Sequence, residues 1–215
     1  MNSSGVFFDG FADAFDTFYD GKRSPFMQWV DQRYRRDMFL RYARTFEFLG
    51  DLRGKRVLDV GCGSGPYIVE ALKRGALQVT GIDAAPRMLD LAHQRAMQHG
   101  VQDRVKLVEG YFPAACPDEP FDMAIVMGVM DYIEDAPAFM KALRPFVTER
   151  AAISFPSIHW FRTPFRKVRY RMRRCPVWFY SRRDIEQIAE SLNVKQYRLD
   201  KIEGAGMDYV LCLSI

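Results

Sequence analysis

Residues 57–65 read VLDVGCGSG, and the reading of the whole chain turns on them. An apolar run carries Asp59, glycines follow at 61, 63 and 65, and Pro66 comes next. That order predicts a short buried strand, a tight turn and then a helix, because proline suits the first helical turn. Glycines in such a turn tolerate positive φ and let the backbone approach a ligand closely. Asp83 stands 24 residues after Asp59, at the end of the next apolar run. A carboxylate there can accept both hydroxyls of a ribose. The dinucleotide pattern G-x-G-x-x-G requires glycine where Pro66 stands, and the pattern G-x-x-x-x-G-K-[ST] is absent. The loop points to a nucleoside ligand and away from phosphate.

Outward from this turn, apolar runs and turn residues predict seven strands. They are Arg56–Val60, Gln78–Ile82, Val105–Val108, Met123–Met127, Ala151–Phe155, Lys195–Ile202 and Asp208–Ser214. Helices are expected over Pro66–Arg74, Pro86–His99 and Asp135–Leu143, with a fourth running from Ser181, an N-cap candidate, to Leu192. Strands alternating with helices at this spacing indicate a parallel sheet covered on both faces. Two more helices are expected before residue 50. One carries Phe7, Phe11, Phe15 and Phe18 and is interrupted by Gly21 and Pro25; the other carries Tyr34, Met38, Tyr42, Thr45 and Leu49 and stops at Gly50.

A chain of 215 residues, 48% hydrophobic and 27% charged, suits one globular domain and speaks against disorder. Its longest apolar run, Met123–Met130, is far short of the ~20 residues of a membrane-spanning helix. The opening MNSSGVFFDGFADAFD is acidic and lacks the basic stretch of a secretory signal, so a cytoplasmic location is expected. Cys62, Cys116, Cys175 and Cys212 form no C-x-x-C pair, and His93, His99 and His159 form no H-x-x-x-H, so no metal site is expected. The net charge of +4 is unevenly spread. Residues 151–183 hold nine Lys or Arg and no Asp or Glu, while the rest carries 22 basic against 27 acidic residues. The basic character is local.

The run VLDVGCGSG, followed by VTGIDAAPRMLDLAHQRA and FDMAIVMGVMDYI, closely resembles class I S-adenosylmethionine-dependent methyltransferases. The resemblance covers Lys55 to about Pro156 in order and spacing. It implies a Rossmann-like α/β fold with a seven-stranded sheet of order 3-2-1-4-5-7-6, the last strand antiparallel, and helices on both faces. It also implies S-adenosylmethionine as cofactor and S-adenosylhomocysteine as product. By resemblance, Asp59, Gly61, Cys62, Gly63 and Gly65 belong to the loop at the methionine end, and Asp83 holds the ribose. Ala84 and Met88 flank the adenosine, and Met127, Gly128 and Val129 line the floor toward the acceptor. Gly110 falls where the family has a Gly-Asp pair at adenine, but Tyr111 replaces the acid, leaving backbone at Tyr111 and Phe112 for that contact. Met127 and Val129 read equally as core, and Cys62 reads as a small buried filler.

Residues 1–50 then read as an N-terminal helical lid and 51–215 as the methyltransferase domain, with an insertion over 157–180. Candidate catalytic residues are few: Tyr19 in the lid, Asp131 after the fourth strand and His159 after the fifth. Each has a plain alternative, as core, turn and solvated loop respectively. The lack of an obvious catalytic dyad is compatible with methyl transfer, where alignment and exclusion of water supply most of the help. In the insertion, Phe165, Val168 and Met172 share a helical face among six Lys and Arg residues. That pattern suits an anionic membrane surface through 160–180, an acidic small molecule, nucleic acid, or simply a solvated helix over the sheet edge. The ending VWFYSRRDIEQIAESL together with this lid is similar to magnesium-protoporphyrin and quinone-pathway O-methyltransferases, which act on flat, apolar, often anionic acceptors. The leading expectation is methyl transfer to a small apolar or anionic molecule, at oxygen. The runner-up is an RNA methyltransferase gripping through 157–183, and a third reading is a non-catalytic or peripheral membrane binder. Nucleic acid is disfavoured because VMGVMDY stands where base-amine enzymes carry an N/D-P-P-Y/F motif.

Overall fold

The computed structural model describes residues 39–158, 176–202 and 208–215. Tyr19, His159, the first expected helix and most of the basic insertion lie outside the described residues. Seven strands form one sheet: β1 Arg56–Val60, β2 Gln78–Asp83, β3 Val105–Glu109, β4 Phe121–Val126, β5 Val147–Phe155, β6 Gln196–Lys201 and β7 Tyr209–Ser214. Their order is β3-β2-β1-β4-β5-β7-β6, with β7 antiparallel to both neighbours, as the resemblance implies.

Side chains alternate across each strand, and in the central strands both sets are largely apolar because helices cover both faces. Leu58, Ala124, Ile153 and Leu211 pack with helix α4 (Ala136–Leu143) and helix α5 (Arg182–Glu190). Val57, Ile125, Ala152 and Val210 pack on the other face with the helical stretch 39–49 (α1) and helix α2 (Pro66–Lys73). Helix α3 (Pro86–Gln98) buries Met88, Ala92 and Ala96. Pro66 and Pro86 both stand in the first turn of their helices. Ser181 caps α5 in a reciprocal capping box with Asp184.

Several boundaries differ from those expected, those of β4, β5 and β7 among them. β5 starts at Val147 rather than Ala151, because the three consecutive polar residues Thr148, Glu149 and Arg150 make its first half escape a search for apolar runs. Those polar residues are used: Glu149 pairs with Lys55, and Arg150 Nη1 donates to the carbonyls of Phe48 and Leu49 at 3.0 and 3.1 Å. β4 begins at Phe121, with Asp122 accepting the Arg56 N–H at 2.7 Å, and it ends before Met127. β7 starts at Tyr209 rather than Asp208, which leaves Asp208 in the preceding loop.

Helix α1 is part of the core. Phe46 and Leu49 are fully buried, and Phe46 stacks on Tyr67 with ring centroids 5.9 Å apart. Gly50, at φ 72°, closes the helix by donating its N–H to the Phe46 carbonyl at 3.1 Å.

Two glycines separate backbone strain from close packing. Gly100, at φ 65°, faces open space, whereas Gly65, at φ 76°, would bring a Cβ to 3.0 Å from Ala92 Cβ and 3.2 Å from its Cα. Gly100→Ala is expected to lower stability by about 1 kcal/mol through the left-handed conformation alone. Gly65→Ala is expected to lose roughly 2–3 kcal/mol, strain and overpacking together. Urea unfolding measures both; equal losses would show that the contact with Ala92 contributes nothing.

Candidate functional site

In a parallel sheet the loops leaving the carboxyl ends of the strands gather on one edge, with a crevice where the strand order reverses. Here that reversal falls between β1 and β4, and the loop after β1 is the glycine turn. Gly61, Gly63 and Gly65 all have positive φ, at 67°, 52° and 76°. The turn is tied to the end of β2: the N–H groups of Gly61 and Cys62 donate to the Ile82 carbonyl at 2.8 and 3.0 Å. Gly63 donates to Asp83 Oδ2 at 2.8 Å, and Ala85 donates to Asp83 Oδ1 at 2.9 Å. The third loop joins through Gly110, whose N–H reaches the Asp83 carbonyl at 2.9 Å.

Two carboxylates therefore sit close together beneath this edge. Asp59 is buried at 1% exposure, and its Oδ2 has no hydrogen-bond partner among the described residues. Burial, reinforced by the neighbouring Asp83, pushes its carboxyl up to about 8. Burial raises Asp83 too, opposed by the backbone N–H groups of Ala85, Gly63 and Ala84. Cys62 fills the space over Gly81, where an added Cβ would lie 2.9 Å from its Sγ. Burial holds its thiol well above the usual range, so it has the character of packing rather than of a nucleophile.

The glycines do different work. A Cβ on Gly63 would meet nothing within 4 Å, so that side of the turn is open to a ligand. A Cβ on Gly61 would lie 2.4 Å from Val129 Cγ2, so its bareness makes room for the loop after β4. Met88 is buried, Ala84 is half-buried, and Met127 is buried against α1 with Thr45 Oγ1 3.7 Å from its sulfur. Gly128, at φ 74°, donates to Ser154 Oγ at 2.8 Å. Tyr111 is 42% exposed at the rim. Phe112 turns its ring inward, with centroids 5.2 Å from Phe139 and 5.7 Å from Phe146, so only its backbone remains for the cleft.

In the loop after β4, Asp131 is buried, and its carbonyl accepts the Trp178 N–H at 2.9 Å. Tyr180 donates its hydroxyl to the Ile133 carbonyl at 2.6 Å, and burial followed by the charges of Asp131 and Asp135 pushes its phenol up to about 12. The segment after the insertion thus returns alongside the β4 loop.

The residue that sequence reasoning missed is Arg41 on α1. Its Nη1 lies 3.7 Å from Asp208 Oδ2, and its Nε is buried with no partner among the described residues. Burial works against its charge, yet Tyr67, Asp208 and Asp131 together hold its pKa above the ordinary value. A cation is thereby placed beside the helix that follows the glycine turn. No motif surrounds Arg41; only folding brings it there. No cluster of three or more potential metal ligands occurs among the described residues.

A family model described as a methyltransferase domain matches residues 34–196. The chain belongs to that family. This methyltransferase domain is 34% identical over 110 residues to the ubiquinone biosynthesis O-methyltransferase of Neisseria meningitidis, covering 51% of this chain and 46% of that protein. It is 39% identical over 80 residues to a ribosomal protein L11 methyltransferase of Escherichia coli, covering 37% of this chain and 26% of that one. The chain thus spans half or less of the length of these relatives. Magnesium protoporphyrin IX methyltransferase from Synechocystis, solved with bound S-adenosylhomocysteine, has the same fold, with a TM-score of 0.78 at 20% identity over 99% of both chains.

S-adenosylmethionine is the cofactor of this methyltransferase fold, and the residues present fit it. Asp59 presents a buried oxygen and Arg41 a buried Nε, neither with a partner among the described residues, and the turn is open at Gly63, a donor and acceptor set suited to a zwitterionic nucleoside.

Asp59 makes folding pH-dependent. An acid whose folded pKa is raised keeps its proton in the folded protein after the unfolded chain has lost it. Its contribution is therefore fully present below about pH 4 and falls away as pH rises to about pH 8. Urea unfolding across that window, in the absence of cofactor, is expected to show a decline that Asp59→Asn flattens; parallel curves would remove Asp59 from the account.

Proposed function

We propose that this methyltransferase domain transfers a methyl group from S-adenosylmethionine to an oxygen of a small apolar or anionic acceptor by in-line displacement. The observation that carries the reading is Asp83 tied to the bare Gly63 at the carboxyl edge of the sheet, with the guanidinium of Arg41 beside Tyr67 of the helix that follows the glycine turn. When bound, the cofactor supplies an electrophilic sulfonium methyl group and is left as S-adenosylhomocysteine.

In this reading each residue has a task set by its position. Asp83 keeps lone pairs for two ribose hydroxyls beyond the N–H groups it already accepts. Met88, with Ala84 beside it, forms an apolar wall for the adenine ring, and the backbone after Gly110 meets its edge. Arg41 holds the cofactor's carboxylate, since a guanidinium with a buried free N–H gains a charge-assisted bond from it. Asp59 offers its carboxylate beneath the amino end. Met127, Gly128 and Val129 set the floor, and Asp131 faces the acceptor, where its carboxylate accepts the proton of a hydroxyl.

The preference for oxygen and for a small acceptor draws support from the quinone-pathway O-methyltransferase among the relatives and from the structural likeness to a porphyrin methyltransferase. Tyr19, His159 and the 160–180 segment keep the roles expected of them, as lid, acceptor-side group and cover or membrane contact. No helix among the described residues is long and apolar enough to cross a membrane.

Asp83→Ala is expected to weaken binding of S-adenosylhomocysteine by roughly 1–3 kcal/mol, and Arg41→Ala by a similar amount. Isothermal titration measures both, and unchanged affinity would remove the residue concerned from the site. The reaction itself is read by incubating the protein with methyl-labelled cofactor and cell extract. Label in a small-molecule fraction is the expected outcome, and label confined to RNA or protein would overturn the acceptor class.

A further inference from the structure

Helix α3 touches both halves of the cleft. Its first turn, just after Asp83, carries Met88 at the adenosine side. One turn on, Ala92 lies against Gly65, and one turn further Arg95 Nε donates to the Ser64 carbonyl at 2.8 Å. Arg95 Nη2 also lies 3.5 Å from Ser64 Oγ, and Ser64 itself is 1% exposed. Residues at spacings of three and four share a helix face, so Met88, Ala92 and Arg95 act from one side.

Among the described residues, the other backbone ties of the glycine turn run to β2, within the turn or into the helix that follows it, where Val69 donates to the Gly65 carbonyl at 3.2 Å. Gly61 and Cys62 are held by the Ile82 carbonyl, Gly63 by Asp83, and Gly65 donates to the Cys62 carbonyl at 3.0 Å. The peptide between Ser64 and Gly65 has its carbonyl drawn toward α3, away from the open side at Gly63. Both flanking glycines occupy the left-handed region, where a peptide can rotate at little steric cost. A charge-assisted bond from a guanidinium is a strong means of stopping that rotation.

We infer that Arg95 is a positioning residue for cofactor binding, locking the Ser64 peptide so that the glycine turn is preorganised for the methionine end of the ligand. The inference rests on the cofactor reading above. It makes α3 a single rigid bar that sets the spacing between the adenosine wall and the turn. Ligand affinity then depends on a residue that does not touch the ligand, because a preformed turn spares the ordering cost on binding.

The test is isothermal titration of the full chain with S-adenosylhomocysteine, with urea unfolding of each variant alongside. Arg95→Met keeps the apolar stem and removes the donors; it is expected to weaken binding about tenfold. Arg95→Lys, which retains one cationic donor, is expected to recover about a third or more of that loss on a logarithmic scale. Arg104→Met is the control: Arg104 Nη1 donates to the Ala76 carbonyl at 3.2 Å, a similar bond outside the glycine turn. It is expected to bind within twofold of the wild type. Wild-type affinity in Arg95→Met, or an equal loss in Arg104→Met, would overturn the inference. If Arg95→Met does not fold, Arg95→Lys decides, with threefold or more weakening supporting it and unchanged affinity overturning it. A wild-type chain that binds no S-adenosylhomocysteine would overturn the cofactor reading and this inference with it.

Discussion

The side chain of Asp83 accepts two backbone N–H groups, one from the glycine turn after β1 and one from the start of α3, and the cleft depends on that double contact. A carboxylate this enclosed is costly to keep charged, and its backbone bonds are what offset the desolvation. In return, one residue sets the relative position of two loops, and its carbonyl recruits a third through Gly110. Three neighbouring strands thus end in a single hydrogen-bonded unit. The buried Asp59 below adds a second carboxyl, protonated in the free protein to about pH 8, whose ionised form a ligand carrying positive charge would favour.

Helix α1 closes the other side. Its apolar residues Phe46 and Leu49 belong to the core, which fixes the helix against the sheet, and Arg41 two turns earlier is thereby carried to Tyr67, Asp131 and Asp208. The guanidinium is buried among Tyr67, Asp131 and Asp208, which come from the helix after β1, the loop after β4 and the loop before β7. That convergence ties the helix at 39–49 to the sheet through its core residues and through Arg41, so this part of the chain is no detachable cover. Asp131 occupies both settings, since its backbone holds the returning segment at Trp178 while its carboxylate belongs to the Arg41 cluster.

Much of this was legible in the chain itself. Apolar runs marked β1 and β2 and the helices that follow them, because strands buried on both faces leave little polar alternation to blur them. The reading faltered where a strand leaves that rule. The first half of β5 carries Thr148, Glu149 and Arg150, which are useful only to partners distant in sequence, and β4 opens with Asp122, whose value lies in the Arg56 N–H. Phe112 is similar: next to a cleft in sequence, its ring belongs to a cluster with Phe139 and Phe146 that no local pattern announces.

By itself the sequence determined the alternation of strands and helices, the turn at Gly61–Gly65, the acidic residue at the end of β2 and the caps at Pro66, Pro86 and Ser181. These are local consequences of φ freedom, hydrophobic period and hydrogen bonds within a few residues. Tertiary structure alone decided that Gly61 is bare for the sake of Val129, that burial raises Asp59 to about 8, that Arg41 sits among Tyr67, Asp131 and Asp208, and that Arg95 meets the Ser64 carbonyl. Each of these depends on burial or on contact between segments far apart in the chain. Desolvation and close approach exist only once the sheet has brought those segments together.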